Sequence, residues 1–163
     1  MVTENLRIRS ANPTDADELL AIRRDAIMAL AEEYGRVAAE RWATETHPDR
    51  AAKAIATNSV WVAESGSKVV VWVEVGGARI ESLYVRPAAT RLGVGSSLMA
   101  HAEREIRDAG ASIAYLDASP NAEAFYTRRG YRRVGEAKAN NSIPMSKRLE
   151  PQSRLTSRLS GPA

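Results

Sequence analysis

Three runs that contain β-branched residues, separated only by short glycine turns, occupy the middle of the chain. They cover residues 60–63, 69–73 and 80–85, and the turns contain Gly66 and the pair Gly76-Gly77. β-Branched residues favour extended backbone, and connections this short join neighbouring antiparallel strands. The sequence therefore predicts an antiparallel meander at the centre of the fold.

Amphipathic patterns before the meander predict one strand and a set of helices. Residues 6–9 alternate apolar and charged side chains, as a half-buried strand does. Apolar residues recur at helical spacing from 19 to 30, and Thr14 is the expected N-cap of that helix. The alanine-rich stretch 35–56 predicts more helix, interrupted near His47-Pro48.

The chain after the meander alternates helices with strands. Gly110 follows an apolar helical stripe and Gly130 follows a shorter one, as glycines at helix C-termini do. Pro144 has no N–H to donate to a ladder, so we expect its strand at the edge of the sheet. The complete order is β-α-α-β-β-β-α-β-α-β-β, a mixed α/β layer fold. The predicted elements after the meander are helices at 93–109 and 121–129 and strands at 113–116, 131–134 and 143–146.

The composition is typical of a single soluble domain: of 163 residues, 44% are hydrophobic and 26% are charged. There is no cysteine, which excludes disulfides, a thiolate metal site and a cysteine nucleophile. The two histidines are not part of a ligand-like cluster, so we expect no metal. No stretch approaches the roughly 20 apolar residues that span a bilayer. We therefore expect a cytoplasmic protein without a membrane partner, with one domain at 1–149 and a flexible basic tail at 150–163.

The glycine pair Gly93 and Gly95 stands between the third strand of the meander and the next helix. The unpaired N–H groups at a helix start attract anions, and glycines let a phosphate approach the backbone closely. A plain strand-to-helix turn would also explain the pair. A Rossmann fingerprint needs a third glycine where Leu98 stands, and no Gly-Lys-Ser/Thr run exists for a P-loop.

Two segments carry a resemblance to a known family. The sequence Leu-Tyr-Val-Arg-Pro at 83–87, followed by Thr-Arg-Leu-Gly-Val-Gly-Ser-Ser-Leu at 90–98, resembles the acetyl-CoA-binding segment of the GNAT acetyltransferase superfamily. The sequence at 122–131 is similar to that family's Ala-x-x-Phe-Tyr-x-x-x-Gly-Phe/Tyr motif. The resemblance extends over 6–149 and is greatest to small bacterial stand-alone members. It implies a mixed, mostly antiparallel central sheet with helices on both faces.

Acetyl-CoA is the co-substrate that this resemblance implies. Thr90 stands where the family usually has Arg or Gln, with Arg91 displaced by one residue. Ser119 replaces a usual Asn, with Asn121 nearby but out of register, and a hydroxyl replaces only part of an amide's hydrogen bonding. The resemblance assigns these residues to the cofactor: Leu83, Tyr84, Val85, Arg91, Leu92, Gly93, Val94, Gly95, Ser96, Ser97, Ser119, Ala122, Phe125 and Tyr126.

Transfer of an acetyl group to an amine requires a base, a donor for the developing oxyanion and an acid for the departing thiolate. The resemblance implies that the Val85 amide is the oxyanion donor and Tyr126 the acid, with core packing as the alternative role of Tyr126. A phenol with its ordinary pKa of about 10 is protonated at pH 7. For the base, Glu81 is our first choice, because it lies two residues before Leu83 and should share its face. Glu74 is the alternative, and either carboxylate could be a solvated strand residue.

The N-terminal helices and the meander should form the pocket for the acceptor. Residues 10–64 contain ten acids and six bases, a net charge of −4, which suits a cationic amine or is an ordinary solvated surface. Residues 86–133 carry a net charge of +3, which suits a polyphosphate donor. Each aromatic candidate for the pocket has core packing as its alternative role. The candidate lining residues are Tyr34, Trp42, His47, Trp72 and Glu74.

We expect direct transfer in a ternary complex with a small-molecule or peptide amine, and a monomer or homodimer. A non-catalytic acyl-CoA sensor or toxin-neutralising module on the same fold is the alternative. The isoelectric point near 9.4 raises nucleic acid as a third hypothesis. The one dense basic cluster follows the CoA-type motif, and four further bases lie between residue 147 and the C-terminus, so we expect no nucleic-acid partner.

Overall fold

The three β-branched runs form the expected antiparallel meander in the computed structural model, which describes residues 5–151. Gly66 and Gly77 lie in its two turns with φ angles of +62° and +61°, a region that glycine adopts without strain. The tail predicted at 150–163 lies outside the described residues except for its first two positions.

The strands are β1 (Arg7–Ser10), β2 (Ser59–Ser65), β3 (Lys68–Gly76), β4 (Arg79–Val85), β5 (Ile113–Ala118), β6 (Arg132–Arg133) and β7 (Ile143–Arg148). The helices are α1 (Ala16–Met28), α2 (Ala31–Tyr34), α3 (Arg36–Thr44), α4 (Arg50–Thr57), α5 (Val94–Asp108) and α6 (Glu123–Arg128).

The described strands form one sheet in the order β1-β2-β3-β4-β5-β7-β6. Every neighbouring pair is antiparallel except β4 and β5, which are parallel. The chain crosses from β4 to β5 through α5, as a parallel pair requires a long connection. The sheet is therefore mixed and mostly antiparallel, as predicted.

The prediction that Pro144 places its strand at the edge of the sheet is wrong. β7 lies between β5 and β6, and β6 contains only two residues, which pair with Ser146 and Met145. The Pro144 carbonyl accepts a hydrogen bond from the Val134 N–H at 2.9 Å, so its nitrogen also faces the side of β6. The proline nitrogen therefore faces Val134, just beyond the last residue of β6, and the ladder between the two strands ends there.

Two separate clusters of buried apolar side chains cover the two faces of the sheet. On one face, α5 buries Leu98, Ala102 and Ile106, which recur at helical spacing. On the other face, α1 buries Leu19 and Ile22, and α4 lies beside it. Strand β3 is buried along nearly its whole length because helices cover both of its faces. The helices on both faces of the sheet are therefore confirmed.

The start of α1 differs from the prediction that Thr14 is its N-cap. The chain begins to wind earlier, in a 3₁₀ turn over Pro13–Asp15 whose N-cap is Asn12. Proline is favoured at the first position of such a turn because its φ is already fixed. The Asn12 N–H donates to the Asp15 carboxylate at 2.6 Å, and Arg9 donates to the same carboxylate at 2.8 and 3.0 Å.

The Asp15 carboxylate ties this turn to the sheet, and its removal is expected to lower stability in a pH-dependent way. The Arg9 hydrogen bonds, which outweigh desolvation, lower the pKa of Asp15 below its usual range. A lowered folded-state pKa contributes stability above the unfolded pKa of about 3.9, and this stability is lost as pH falls through the folded value. Since asparagine keeps part of the bonding, we expect Asp15→Asn to lose about 1–2 kcal/mol, roughly 3–6 °C in melting temperature at pH 7.

Thermal unfolding at pH 7 and at pH 3 measures this prediction. The variant should lie closer to the wild type at pH 3 than at pH 7. Asp25→Asn, at an exposed position on α1, is the matched control and should show little change at either pH. An Asp15→Asn protein whose deficit is equal at both pH values would show that the carboxylate charge is not what stabilises the turn.

Candidate active site

Strands β4 and β5 diverge soon after they begin to pair. Their parallel ladder contains two residue pairs, Arg79 with Tyr115 and Ile80 with Leu116. β4 continues for five more residues without a partner from β5. A cavity of about 850 Å³ opens in the gap, lined on one side by residues 81–85 and on the other by the end of β5 and the loop after it.

A β-bulge at Glu81 bends β4 at the point where the gap opens. Glu74 pairs with Ser82 and the next residue of β3 pairs with Ile80, so Glu81 is the extra residue. The prediction that Glu81 shares a face with Leu83 is wrong, because the bulge interrupts the alternation of side chains. Ile80 and Leu83, three residues apart, both pack into the core beneath α5. Glu81 nevertheless lines the cavity.

The backbone N–H groups of Leu83 and Val85 point toward the gap. The Arg86 N–H donates to the Val70 carbonyl of β3 at 2.8 Å. Residues of an antiparallel strand turn alternately toward and away from their partner, so Tyr84 also bonds to β3, whereas Leu83 and Val85 face the opposite edge. That edge borders the cavity, and it includes the Val85 amide that the resemblance implies as the oxyanion donor.

The N-terminus of α5 lies beside the same strand. Gly93 is its N-cap with a φ of +76°, and no side chain caps the helix. The first intrahelical bond runs from the Ser97 N–H to the Gly93 carbonyl, so the N–H groups at 94–96 have no helical acceptor. A Cβ atom at Gly95 would lie 3.3 Å from the Val85 Cγ2 and 3.7 Å from the Phe125 ring. Gly95 therefore allows the helix start to approach β4 and α6 closely.

The corner before this helix contains Thr90, one of the two residues that depart from the family pattern, and Arg91, which is displaced from that pattern by one position. Thr90 donates its hydroxyl to the Pro87 carbonyl at 2.8 Å, which closes the 3₁₀ turn after β4. Arg91 adopts a positive φ of 68°, an uncommon conformation for a residue with a side chain. Leu92 is largely exposed next to it. The turn places the backbone of 91–93 immediately ahead of the α5 N-terminus.

Tyr126 projects from α6 into the wall of the cavity. It is 8% exposed, and within residues 5–151 its hydroxyl has no hydrogen-bond partner. Burial, followed by the neighbouring Tyr84 phenol, raises the pKa of Tyr126 above its usual range. The hydroxyl therefore remains a proton donor well above neutral pH. Gly130, with a φ of +96°, ends the helix just after it, as the sequence predicts.

The two candidate bases are in different environments. Glu74 is buried outside the cavity wall and accepts hydrogen bonds from Arg50 at 2.6 Å, Asn58 at 2.8 Å and Ser82 at 3.2 Å. These three donors occupy its carboxylate, so the structure gives Glu74 a structural position rather than a place beside the acceptor. Glu81 is the acidic residue of β4 that lines the cavity. Its carboxylate lies beside Gly76 at the end of β3, where Arg50, the partner of Glu74, also attracts it electrostatically.

Tyr34 and Trp42 lie where the sequence placed them, in the wall of the cavity. Their rings meet edge to face at 6.3 Å. The Tyr34 hydroxyl accepts the Asn121 N–H at 2.9 Å and donates to the Asn121 side-chain oxygen at 3.2 Å. This link joins α2 to the loop before α6, so residues 87 apart in sequence meet across the cavity.

Besides Glu74, two of the expected lining residues lie outside the cavity wall. Trp72 is 1% exposed in the core beneath α1, where its indole N–H donates to the Leu19 carbonyl at 3.0 Å. Its ring packs against Tyr84, because β3 turns this side chain toward the buried face. His47 is exposed and pairs with Asp49 before α4, away from the cavity. Both predictions for the pocket are therefore corrected.

The sequence analysis missed several lining residues. Glu45, the C-cap residue of α3, follows Trp42 by three positions, so helical spacing would have indicated it. Arg41 also lines the cavity, but as the direct neighbour of Trp42 it is not indicated by that spacing. The loop at 140–142 also lines the cavity. Its Asn-Asn-Ser sequence indicates a turn but does not predict where in the fold that turn lies. Asp117 and Ser119 complete the opposite wall.

Two further kinds of feature were searched for over the described part of the chain. Residues 5–151 contain no group of three or more acidic or histidine side chains arranged to hold a metal ion. Among the same residues, no helix combines the length and the apolar character needed to cross a bilayer.

The comparisons with known proteins agree on one family. The family model described as an acetyltransferase (GNAT) domain matches residues 30–149, more than half of the chain. The uncharacterized N-acetyltransferase YafP of Escherichia coli (strain K12) is 30% identical over 134 residues, which cover 80% of this chain and 83% of that protein.

Solved structures share the fold. A GCN5-related N-acetyltransferase from Rhodopseudomonas palustris matches with a TM-score of 0.80 and 27% identity, over 91% of this chain and 99% of that one. The PaiA N-acetyltransferase of Thermoplasma acidophilum, in complex with coenzyme A, matches with a TM-score of 0.75 and 18% identity, over 88% of this chain and 99% of that one. At that identity the second comparison shows a common fold.

Proposed function

Because this chain belongs to the GNAT acetyltransferase family, we propose that it moves the acetyl group of acetyl-CoA directly to a primary amine while both substrates are bound. The observation that carries the proposal is the divergence of β4 from β5, which opens a cavity beside the Val85 N–H, the α5 N-terminus and Tyr126. The Thermoplasma acidophilum relative binds coenzyme A, which supports the same donor here.

The residues around the gap between β4 and β5 suit the binding of acetyl-CoA. The N–H groups at 94–96 lack helical acceptors, and glycines at 93 and 95 leave the backbone accessible to a pyrophosphate. The outer edge of β4 at 83–85 offers main-chain groups to an extended pantetheine arm, as an exposed strand edge does to a peptide. The side chains at Ser119 and Phe125 complete the proposed binding site. Acetyl-CoA supplies the thioester whose acetyl group is transferred.

Three groups of the chain are proposed to act on the reacting atoms. Glu81 accepts a proton from the amine, directly or through water, since it is the carboxylate of β4 in the cavity wall. The Val85 N–H donates to the acetyl oxygen as negative charge develops there. Tyr126 donates its proton to the departing sulfur, a role that its burial supports by keeping the phenol protonated.

The acceptor is proposed to be a cationic amine of a small molecule or peptide. The charged side chains in the cavity wall are Arg41, Glu45, Glu81 and Asp117, an excess of acids. Asp117 is already paired with Lys138 at 2.7 Å, and Glu45 lies 3.7 Å from Arg41. Glu81 is then the acid best placed to attract an ammonium group before it accepts the proton.

Release of free thiol from acetyl-CoA in the presence of an amine panel tests the proposal. The panel contains a polyamine, an arylalkylamine, an amino acid amide and a short peptide with a free N-terminus. We expect thiol release that depends on both substrates, intersecting double-reciprocal plots as sequential binding predicts, and the acetylated amine by mass spectrometry. Calorimetry with CoA measures donor binding separately.

The outcomes separate the hypotheses. CoA binding without turnover on every amine would favour the non-catalytic acyl-CoA sensor. Ping-pong kinetics would replace direct transfer by a covalent relay. Absence of CoA binding would contradict the proposal altogether.

The close packing of Gly95 predicts a specific effect on donor binding. In Gly95→Ala the new Cβ atom would crowd Val85 and displace the α5 N-terminus from β4. We expect the KM for acetyl-CoA to rise about three- to tenfold, because positioned N–H groups lose their alignment. The kcat value should change less.

Gly135→Ala is the matched control for crowding. A Cβ atom there would lie 3.3 Å from the Pro144 Cγ, a comparable contact outside the proposed donor site. Its KM for acetyl-CoA should stay within about twofold of the wild-type value. Equal KM changes in the two variants would mean that crowding acts through global stability rather than through the donor site.

A further inference from the structure

A partly buried acid on α5, Glu103, interacts with three basic or phenolic side chains from residues 129–147. Its side chain is 11% exposed. The Lys147 Nζ of β7 donates to it at 2.8 Å, and the Tyr131 hydroxyl donates at 3.2 Å. The Arg129 guanidinium completes the group at 3.6 Å. The members of this cluster lie outside the cavity wall and have no part in the chemistry described above.

Tyr131 is the member of the cluster that reaches the site. It is 1% exposed, with its hydroxyl on Glu103 and the Lys147 ammonium 5.7 Å from its ring centre. Its N–H donates to the Tyr126 carbonyl at 3.1 Å at the end of α6. Its ring also meets the Tyr126 ring edge to face, with the centres 5.8 Å apart. Tyr131 is thus fixed at one end by charge-assisted contacts and touches Tyr126 at the other.

The Tyr126 ring depends on such contacts for its orientation. Its hydroxyl has no hydrogen-bond partner within residues 5–151, so no polar group of the described chain fixes its outer end. The aromatic neighbours that hold the ring are Phe125 at 5.2 Å and Tyr131 at 5.8 Å. Phe125 borders the helix start that is proposed to bind the donor, whereas Tyr131 is anchored independently of any ligand.

We propose that Tyr131 is a positioning residue for the transfer reaction. Glu103 anchors Tyr131, and Tyr131 in turn holds the Tyr126 ring so that its hydroxyl points at the departing sulfur. The inference rests on the proposed role of Tyr126 as proton donor. A proton donor works within a narrow range of distance and angle, and a misplacement of about 1 Å can cost up to about 100-fold in rate.

A double-mutant cycle in the full-length enzyme tests the proposal. Tyr131→Phe removes one hydroxyl and keeps the ring that packs on Tyr126. We expect kcat for thiol release to fall about tenfold, with the KM for acetyl-CoA and the affinity for CoA within about twofold. In the Tyr126→Phe background the same substitution should change kcat less than twofold, because the hydroxyl that it aims is already absent.

Tyr115→Phe is the matched control, since it removes a hydroxyl from an exposed tyrosine of β5 outside the cavity wall. It should leave kcat unchanged. A full tenfold loss from Tyr131→Phe in both backgrounds would show that Tyr131 acts on stability or on another group, and would overturn the proposal. Wild-type kcat for Tyr131→Phe would overturn it as well.

Glu103 supplies a second test that does not alter the aromatic core. Glu103→Gln keeps an oxygen that accepts the Tyr131 hydroxyl, whereas Glu103→Leu removes it. We expect Glu103→Gln to retain several times the kcat of Glu103→Leu, and the effect of Glu103→Leu to vanish when Tyr126 is phenylalanine. Equal kcat values for the two variants would count against the anchor. Full activity of Tyr126→Phe alone would instead remove the proposed proton donor, and that result is visible before any cluster variant is made.

Discussion

Replacement of Tyr126 by phenylalanine is expected to lower kcat by about 10²- to 10³-fold, the range of a lost general acid. The hydroxyl is the one atom removed, and the ring keeps its packing on Phe125 and Tyr131. The affinity for CoA should stay within about twofold, because the proposed main-chain contacts at 83–85 and 94–96 are untouched. Initial rates of thiol release and calorimetry with CoA measure the two quantities separately.

The pH dependence gives this prediction a second measurement. Burial raises the pKa of Tyr126, so the donor stays protonated across pH 6 to 9. The wild-type kcat should then show no alkaline decline from this group in that interval, and the variant should run parallel to it at a lower level. Tyr115→Phe again controls for loss of a phenol. A Tyr126→Phe enzyme with more than half of the wild-type kcat would assign the proton to another donor, such as water.

Replacement of Glu81 by glutamine is expected to lower kcat/KM for the amine by about 10- to 100-fold at pH 7. Glutamine keeps the shape of the side chain at the bulge but accepts no proton. At higher pH more of the amine is already unprotonated in solution, so the deficit should shrink as pH rises toward the pKa of the acceptor. Rates measured from pH 6 to 9 with one fixed amine provide the profile.

Glu74→Gln tests the alternative candidate for the base and is compared with Glu81→Gln. Glu74 binds Arg50, Asn58 and Ser82 outside the cavity wall, so its replacement should mainly lower the melting temperature. A Glu81→Gln enzyme with full activity across the pH range would exclude Glu81 as the base. An inactive Glu74→Gln enzyme with normal thermal stability would assign the role to Glu74 instead.

The parts of the fold that follow from short stretches of sequence were predictable. The meander depends on β-branched runs and two-residue glycine turns, and both turns occur where expected. The start of α5 after Gly93 and the ends of α5 and α6 at Gly110 and Gly130 depend on positive φ angles that favour glycine. The resemblance also directed attention to Tyr126, which the structure brings to the same cavity as β4.

The features that depend on long-range pairing were not predictable from the same patterns. The bulge at Glu81 arises from its register with β3, and the burial of Trp72 arises from α1 packing over β3. The sequence of its own strand predicts Glu74 as a possible base. Its environment is instead determined by Arg50, which lies 24 residues earlier in the chain and forms an ion pair with it. The rule that excludes proline from inner strands fails at Pro144 because the neighbouring strand is only two residues long.

The gap between β4 and β5 also has a consequence for thermal stability. Only two residue pairs connect the strands before the gap with those after it, so the sheet is nearly divided in two. A molecule that bonds to both edges of the gap joins these halves, and its binding free energy adds to that of folding. At a concentration of 100 times its Kd it contributes about 2.7 kcal/mol, roughly 5–10 °C for a chain of this size. The protein is therefore expected to be most heat-resistant when the proposed donor site is filled, so its melting temperature would report how much of a preparation carries a ligand.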